Sequence, residues 1–271
     1  METYNQQKKT KPMRMSSFTG KTILSFLRQD DYAHAGEEEA IEKVMRVFLP
    51  DNKRLVLDVG CGLGGTAKFI ENRGWGEVVG VDIDPEAIAY AKTTYPHLKF
   101  YVGNAEEIDQ ALPSNHRKFD LICLFNVFYA VKNQLATLKA LWNVAHPNAR
   151  LVIFDYVFLD KKNSNIVVRR RKEDITNQGH QDDFFTMAAE AHWKIDEMQE
   201  IDNEYKMWYR NLLTKIANNK DAIIKRFGNE AFITAKNTYS DIYQALENKT
   251  LGGTIIYATA VGVLDLGQST F

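Results

Sequence analysis

The sequence predicts an α/β fold, a seven-stranded, mostly parallel sheet with helices on both faces. Two observations carry that expectation. From Arg54 onward, short apolar runs alternate with amphipathic stretches, the rhythm of parallel strands joined by crossover helices. The first run, RLVLDVGCGLGG (Arg54 to Gly65), breaks into four glycines in six positions. An apolar run ending in glycines reads as a buried strand that turns tightly into a helix, with something approaching its backbone closely.

The elements follow in order. Residues 1–15 read as a disordered tail, and residues 16–53 as an N-terminal helical lid. Strands are expected at 54–60, 77–83, 99–104, 119–125 and 150–157. Between them GTAKFIENR, PEAIAYAKTTY and QLATLKALWNVA space their apolar residues as helices do. Pro85 suits the first turn of its helix, because its missing N–H would have had no partner there. The charged stretch 160–183 reads as a surface connection, FFTMAAEAH as a helix and WKIDEMQEID (193–202) as a half-exposed strand. Residues 204–248 are helical in composition, broken near Gly228, and 251–264 form the last strand. The chain is thus expected to be one domain, 16–271, with its core at 54–203 and a helical insertion ahead of the final strand. Ligands of such open sheets sit outside the carboxyl ends of the strands, so an insertion at that edge would roof the site.

Composition narrows the function classes. With 271 residues, 45% of them hydrophobic, the chain can build a full core. Lys and Arg number 34 against 35 Asp and Glu, so no overall field favours nucleic acid or an anionic membrane, and neither is an expected partner. Two cysteines, Cys61 and Cys123, make neither a disulfide framework nor a zinc-ligand spacing, and no metal is expected. The basic start lacks the apolar stretch of a signal peptide, and no segment reaches the apolar length of a membrane span. A cytoplasmic monomer is the default expectation.

Gly60, Gly62 and Gly65 satisfy the spacing G-x-G-x-x-G, which by itself suggests a dinucleotide on a helix N-terminus. Asp58 discriminates. At the strand end, beside a pyrophosphate, a carboxylate would repel its ligand; beside an ammonium group it supplies compensating charge. S-adenosylmethionine (SAM) has no pyrophosphate and offers an ammonium, so Asp58 argues for SAM. Asp82, at the end of the second strand, is placed to accept both ribose hydroxyl hydrogens. Asn104, at the end of the third, offers an acceptor to the adenine amino group, or, as a turn residue, bonds its own backbone.

VLDVGCGLGGTAKFI, VVGVDIDPEAIAYA, VGNAEEI and FDLICLFNVFYAV resemble the ordered motifs of the class I SAM-dependent methyltransferases, over Arg54 to about Val157. The resemblance implies a Rossmann-like fold with SAM against Asp58, Gly60, Cys61, Gly62, Gly64, Asp82, Ile83, Asn104, Ala105 and Asn126. The family usually has Asp where Asn104 stands. DYAHAGEEEAI, and EYKMWYRNLL through LGGTIIYATA, are similar to the small-molecule members that act on phosphoethanolamine, sarcosine or dimethylglycine, and quinone rings. Phosphoethanolamine enzymes pair a His after the fourth strand with a lid Tyr; Ala130 stands in place of that His, and MSSFTGKTILSF contains no tyrosine. That departure argues against phosphoethanolamine as the acceptor.

The acceptor is expected to meet Tyr32, Tyr129, Asp155, Tyr156, Trp208 and Tyr209, with His34 and Tyr129 as candidate catalytic groups. Each has a plainer reading. The stripe Trp208, Tyr209, Leu212 and Leu213 has the spacing of core packing, and His34 before Gly36 that of a cap. Arg169, Arg170 and Arg171 could bind a substrate phosphate or carboxylate, or form a solvated face, and His180 lies in a polar loop. An aromatic pocket suits a methylated ammonium or a plain hydrophobic acceptor alike. The leading reading is a SAM-dependent methyltransferase acting on an N, O or C atom of a small molecule. The alternatives are a non-catalytic SAM-binding or interaction protein and, with less support, a nucleic-acid methyltransferase. The fourth strand ends in FNVFYA rather than the Asn/Asp-Pro-Pro-aromatic turn used on flipped bases.

Overall fold

The computed structural model describes residues 13–114, 118–158 and 181–262. Arg169 to Arg171, His180, the tail through Pro12 and the last residues of the expected final strand lie outside them. The elements are α1 (Phe18–Arg28), α2 (Glu37–Met45), β1 (Leu55–Val59), α3 (Gly65–Asn72), β2 (Glu77–Asp82), α4 (Pro85–Thr94) and β3 (Lys99–Val102). They continue with α5 (Ile108–Ala111), β4 (Phe119–Phe125), α6 (Gln134–Val144), β5 (Ala145–Phe158), α7 (Gln181–Glu190) and β6 (Trp193–Glu200). Then come α8 (Asp202–Asn218), α9 (Lys220–Phe227), α10 (Asn229–Glu247) and β7 (Leu251–Ala260).

The seven strands form one sheet in the order β3-β2-β1-β4-β5-β7-β6. β1 through β5 run parallel, and β7 lies antiparallel between β5 and β6. β1 is buried along its whole length, as a strand covered on both faces must be. Alternation along it sends Leu57 and Val59 to the core shared with α5, α6 and α7, and Val56 to the core shared with α1–α4 and α8–α10. Asp58, two residues on from Val56, stands on that second face. The strand order reverses between β1 and β4, which opens the crevice where ligands of such sheets bind.

Local chemistry fixes the turns. Gly60, Gly62 and Gly64 all take positive φ, which lets the chain leave β1 and enter α3 within six residues. Asp84 caps α4 by accepting from the N–H groups of Glu86 and Ala87, with Pro85 in the first turn.

β1, β2 and β3 end one or two residues short of expectation, and β5, β6 and β7 differ as follows. β5 begins at Ala145 rather than 150, because Phe119 pairs with Ala145 but Leu121 with Arg150. The intervening residues bulge at Pro147, which has no ladder N–H, and Asn148, at φ 63°. β6 stops at Glu200, since Asp202 has turned into α8, where its Oδ1 accepts the Gly253 N–H at 2.9 Å. β7 ends at Ala260. At the N-terminus, Met15 is buried within the α1 side of the core.

The inserted helices α8 and α10 cross the carboxyl end of the sheet, and α8 locks onto the lid. Trp208 Nε1 donates to Glu39 at 2.9 Å, Lys215 pairs with Glu37 at 3.0 Å and Lys43 with Glu204 at 2.7 Å. These partly exposed pairs set the register of the two lids more than they stabilise it. The stabilising surface is the apolar face of Trp208, Leu212 and Ile216 buried beneath them.

Candidate active site

A cavity of about 310 Å³ opens at the carboxyl ends of β1, β2 and β4. One end is bordered by Gly60, Asp82, Ile83, Asn104 and Ala105, the other by Tyr129, Tyr156, Tyr209, Tyr239 and Ile242, with Lys21, Leu24, Ala33, Phe125 and Asn126 between.

Asp82 is buried and saturated with donors. Its Oδ2 accepts the Gly62 N–H at 2.8 Å, and its Oδ1 accepts the Asp84 N–H and the Lys21 ammonium, each at 2.9 Å. Lys21 reaches it from the lid helix α1, and its alkyl stem lies over the glycine turn. The sequence expectation did not include Lys21; a single lysine in an amphipathic lid carries no local signal of a partner sixty-one residues away. Asn104 lines the cavity while its Oδ1 accepts the Glu106 N–H at 3.2 Å. The turn reading and the ligand reading therefore coexist, since an amide oxygen has a second lone pair.

Asn126 joins four segments. At φ 54°, its Oδ1 accepts the Ala35 N–H of the lid at 3.1 Å, and its Nδ2 donates to Tyr205 on α8 at 2.9 Å and faces Asp155 at 3.5 Å. Asp155 is buried and does not border the cavity. Its carboxylate accepts the backbone N–H groups of Tyr129 at 3.0 Å and Tyr156 at 2.8 Å, and so places those two rings. Burial pushes its pKa up to about 7 against the opposing pull of those hydrogen bonds.

Other expected contacts fall elsewhere as well. Tyr32 is buried against Phe69 with its hydroxyl on Glu38 at 3.3 Å, because the lid loop turns its ring into the core. Trp208 packs between Phe154 and Tyr205 and spends its N–H on Glu39, which is the packing reading of that stripe. His34 is sealed between Phe125 and Phe154, with Nδ1 on the Ala35 carbonyl and Nε2 at 3.1 Å from Thr66 Oγ1. Burial lowers its pKa to about 4, so it is neutral and engaged at both nitrogens, which removes it as a base. Asp58, Cys61, Gly62 and Gly64 do not border the cavity and form the strand and turn behind its wall. Tyr239 and Ile242, one helical turn apart on α10, were missed because an amphipathic face does not show which part of it meets a cavity.

Two features test the fit to SAM. Asp58 Oδ2 is fully buried without a hydrogen-bond partner, and burial, with the nearby Asp82 charge, raises its pKa to about 7. An unpartnered buried carboxyl is costly, and an ammonium is the group that would satisfy it. At Gly62 an added Cβ would meet the Lys21 stem and Ala33 at 3.8 and 3.9 Å, ordinary contact distances, so the turn is covered there by the lid and leaves no empty space. The fit to the cofactor rests on Asp58.

Comparison with known proteins agrees. A family described as a methyltransferase domain matches residues 32–189. The chain is 23% identical over 239 residues to the phosphoethanolamine N-methyltransferase of Plasmodium falciparum, covering 82% of this chain and 84% of that protein. It is 33% identical over 100 residues to the mRNA cap guanine-N(7) methyltransferase of Schizosaccharomyces pombe, covering 34% of this chain and 28% of that one. In three such curated relatives the chain spans 28% to 46% of their length. Phosphoethanolamine N-methyltransferase 2 of Haemonchus contortus superposes with a TM-score of 0.79 at 15% identity, over 90% of this chain and 58% of that one. The [4+2]-cyclase SpnF superposes at 0.73 and 15% identity, over 90% and 94%. At such identities the structural likeness speaks for the fold. The family match spans more than half of the chain and contains the glycine turn, Asp58 and Asp82; the protein belongs to the methyltransferase-domain family.

Proposed function

We propose that this protein transfers a methyl group from SAM to a small molecule. The observation that carries this reading is the continuity of the cavity, which joins the strand-end carboxylate Asp82 to the tyrosines beneath α8 and α10 without leaving the protein. When bound, SAM supplies an electrophilic methyl on a sulfonium. Asp58 compensates its ammonium, Asp82 its ribose, and Asn104 and Ala105 border its adenine. Ile83, 70% exposed here, offers an apolar face to that ring. The lid and the inserted helices hold the acceptor in line and exclude water, which is where much of the rate of a displacement of this kind originates. The same roof narrows the entrance to small acceptors and disfavours a base presented on nucleic acid.

Calorimetric titration with SAM, its demethylated product S-adenosylhomocysteine, and NAD tests the reading. Micromolar binding of the first two with no NAD binding is expected, followed by turnover on some member of a panel of amines, phenols and quinones. Binding of NAD alone would overturn it.

A further inference from the structure

We infer that the inner end of the cavity is a cation site, and that the methyl acceptor is an amine held there through to its ammonium product by Tyr129, Tyr156, Tyr209 and Tyr239. This rests on the methyltransferase reading of the same cavity. The four rings come from four separate elements yet form one assembly. Tyr129 meets Tyr156 edge to face at a centroid distance of 5.1 Å, Tyr156 and Tyr209 lie at 26° and share a hydroxyl–hydroxyl hydrogen bond, and Tyr209 stacks on Tyr239 at 5.9 Å. All four border the cavity. Aromatic faces attract a cation through their quadrupole, and more strongly where water is excluded.

The buried charge behind this wall has the matching sign. The Asp155 carboxyl lies against the backbone N–H groups of Tyr129 and Tyr156, so an ionised Asp155 projects negative potential at the tyrosine end. The buried Arg28 guanidinium acts on Tyr209, but it does not border the cavity and is held by the Tyr32 and His34 carbonyls and by Glu37 at 3.4 Å. Of the two lysines bordering the cavity, Lys21 is paired with Asp82, and the backbone N–H of Lys132 donates to Glu106. A cation is stabilised by the ring faces and, where Asp155 is ionised, by its charge as well.

The chemistry of the step fits this environment. The acceptor nitrogen uses its lone pair to form the new N–C bond as the C–S bond breaks and its electron pair stays on sulfur. Positive charge thus passes from sulfur to nitrogen inside the cage, and no proton moves in the step. The tyrosines stay protonated and present no phenolate to take a proton, since burial raises the pKa of Tyr156 and Tyr209 well above the ordinary phenol value. The amine must therefore arrive as its free base.

The test is calorimetry on the full chain, saturated with S-adenosylhomocysteine, using choline and its neutral isostere 3,3-dimethyl-1-butanol as probes. Choline should bind at least about tenfold more tightly than the isostere. Tyr209→Phe should keep that preference, while Tyr209→Leu and, independently, Tyr129→Leu should reduce it to within about twofold, with affinity for S-adenosylhomocysteine unchanged. Equal binding of the two probes, or binding of neither by a protein that binds S-adenosylhomocysteine, would overturn the cation site. Failure to bind S-adenosylhomocysteine would instead overturn the methyltransferase reading beneath it.

Discussion

The Lys21 ammonium lies 2.9 Å from Asp82 Oδ1 and 3.6 Å from Asp84 Oδ2, so a lid residue holds the carboxylate assigned to the ribose. Asp82 already accepts three hydrogen bonds, from Lys21, Gly62 and Asp84, and a carboxylate has about four acceptor positions. Two ribose hydroxyls and Lys21 therefore compete. Lys21→Met should tighten S-adenosylhomocysteine binding several-fold by calorimetry, and weaker binding would show that the lysine assists the ligand. Asp82→Ala should weaken it by about 1 to 3 kcal/mol, and lower the Tm by leaving Lys21 buried without its partner.

The glycine turn separates two kinds of substitution. At Gly60 an added Cβ would lie 2.3 Å from Val127 Cγ2, whereas at Gly62 it meets nothing closer than 3.8 Å. Gly60→Ala should therefore lower thermal stability more than Gly62→Ala, whose cost is the roughly 1 kcal/mol of a side chain at positive φ. Gly62→Ala should nonetheless weaken cofactor binding, because the added methyl stands on the backbone that a cofactor at this turn must approach. The reverse order of Tm losses would contradict this geometry.

Two buried acids make stability depend on pH. Asp58 and Asp155 carry folded pKa values of about 7 against 3.8 for an ordinary aspartate. An acid whose folded pKa is raised binds more protons folded than unfolded between those limits. The stability of the ligand-free protein should therefore fall as pH rises from about 4, with the loss complete above about 7, by up to roughly 4 kcal/mol per group. Asp82 acts on Asp58, while Asn126 and the N–H groups of Tyr129 and Tyr156 partly offset the effect at Asp155. Thermal unfolding between pH 5 and 8 should show a decreasing Tm, and Asp58→Asn should flatten part of the slope.

His34 should remain neutral across the physiological range, since burial holds its pKa near 4. Its NMR ring signals should show no titration between pH 5.5 and 8, and His34→Gln should leave the pH dependence of methyl transfer unchanged. A titration near pH 6.5 would restore it as a candidate base.

The sequence by itself determined what is local. Apolar runs and turn glycines announced the strands, because a strand buried on both faces must be apolar throughout and a tight exit needs positive φ. Asp58 was legible because it sits just ahead of the glycine turn and Asp82 because it ends an apolar strand, so strand geometry alone carries their side chains to the sheet edge. Asn104 was legible as to place, but its own turn hydrogen bond was one of two readings. Tertiary structure decided everything that depends on which elements meet. Lys21 reaches Asp82 across sixty-one residues, Asn126 ties the lid to α8, and Tyr239 completes a wall begun by Tyr129 and Tyr156. Asp155 lies at the right strand end but points its carboxyl at backbone, and His34 and Tyr32 turn inward, because lid packing rather than lid sequence chooses their direction. The physical reason is the same in each case: a strand fixes its side chains by alternation, whereas a helix or loop acquires its inner face only from what packs against it.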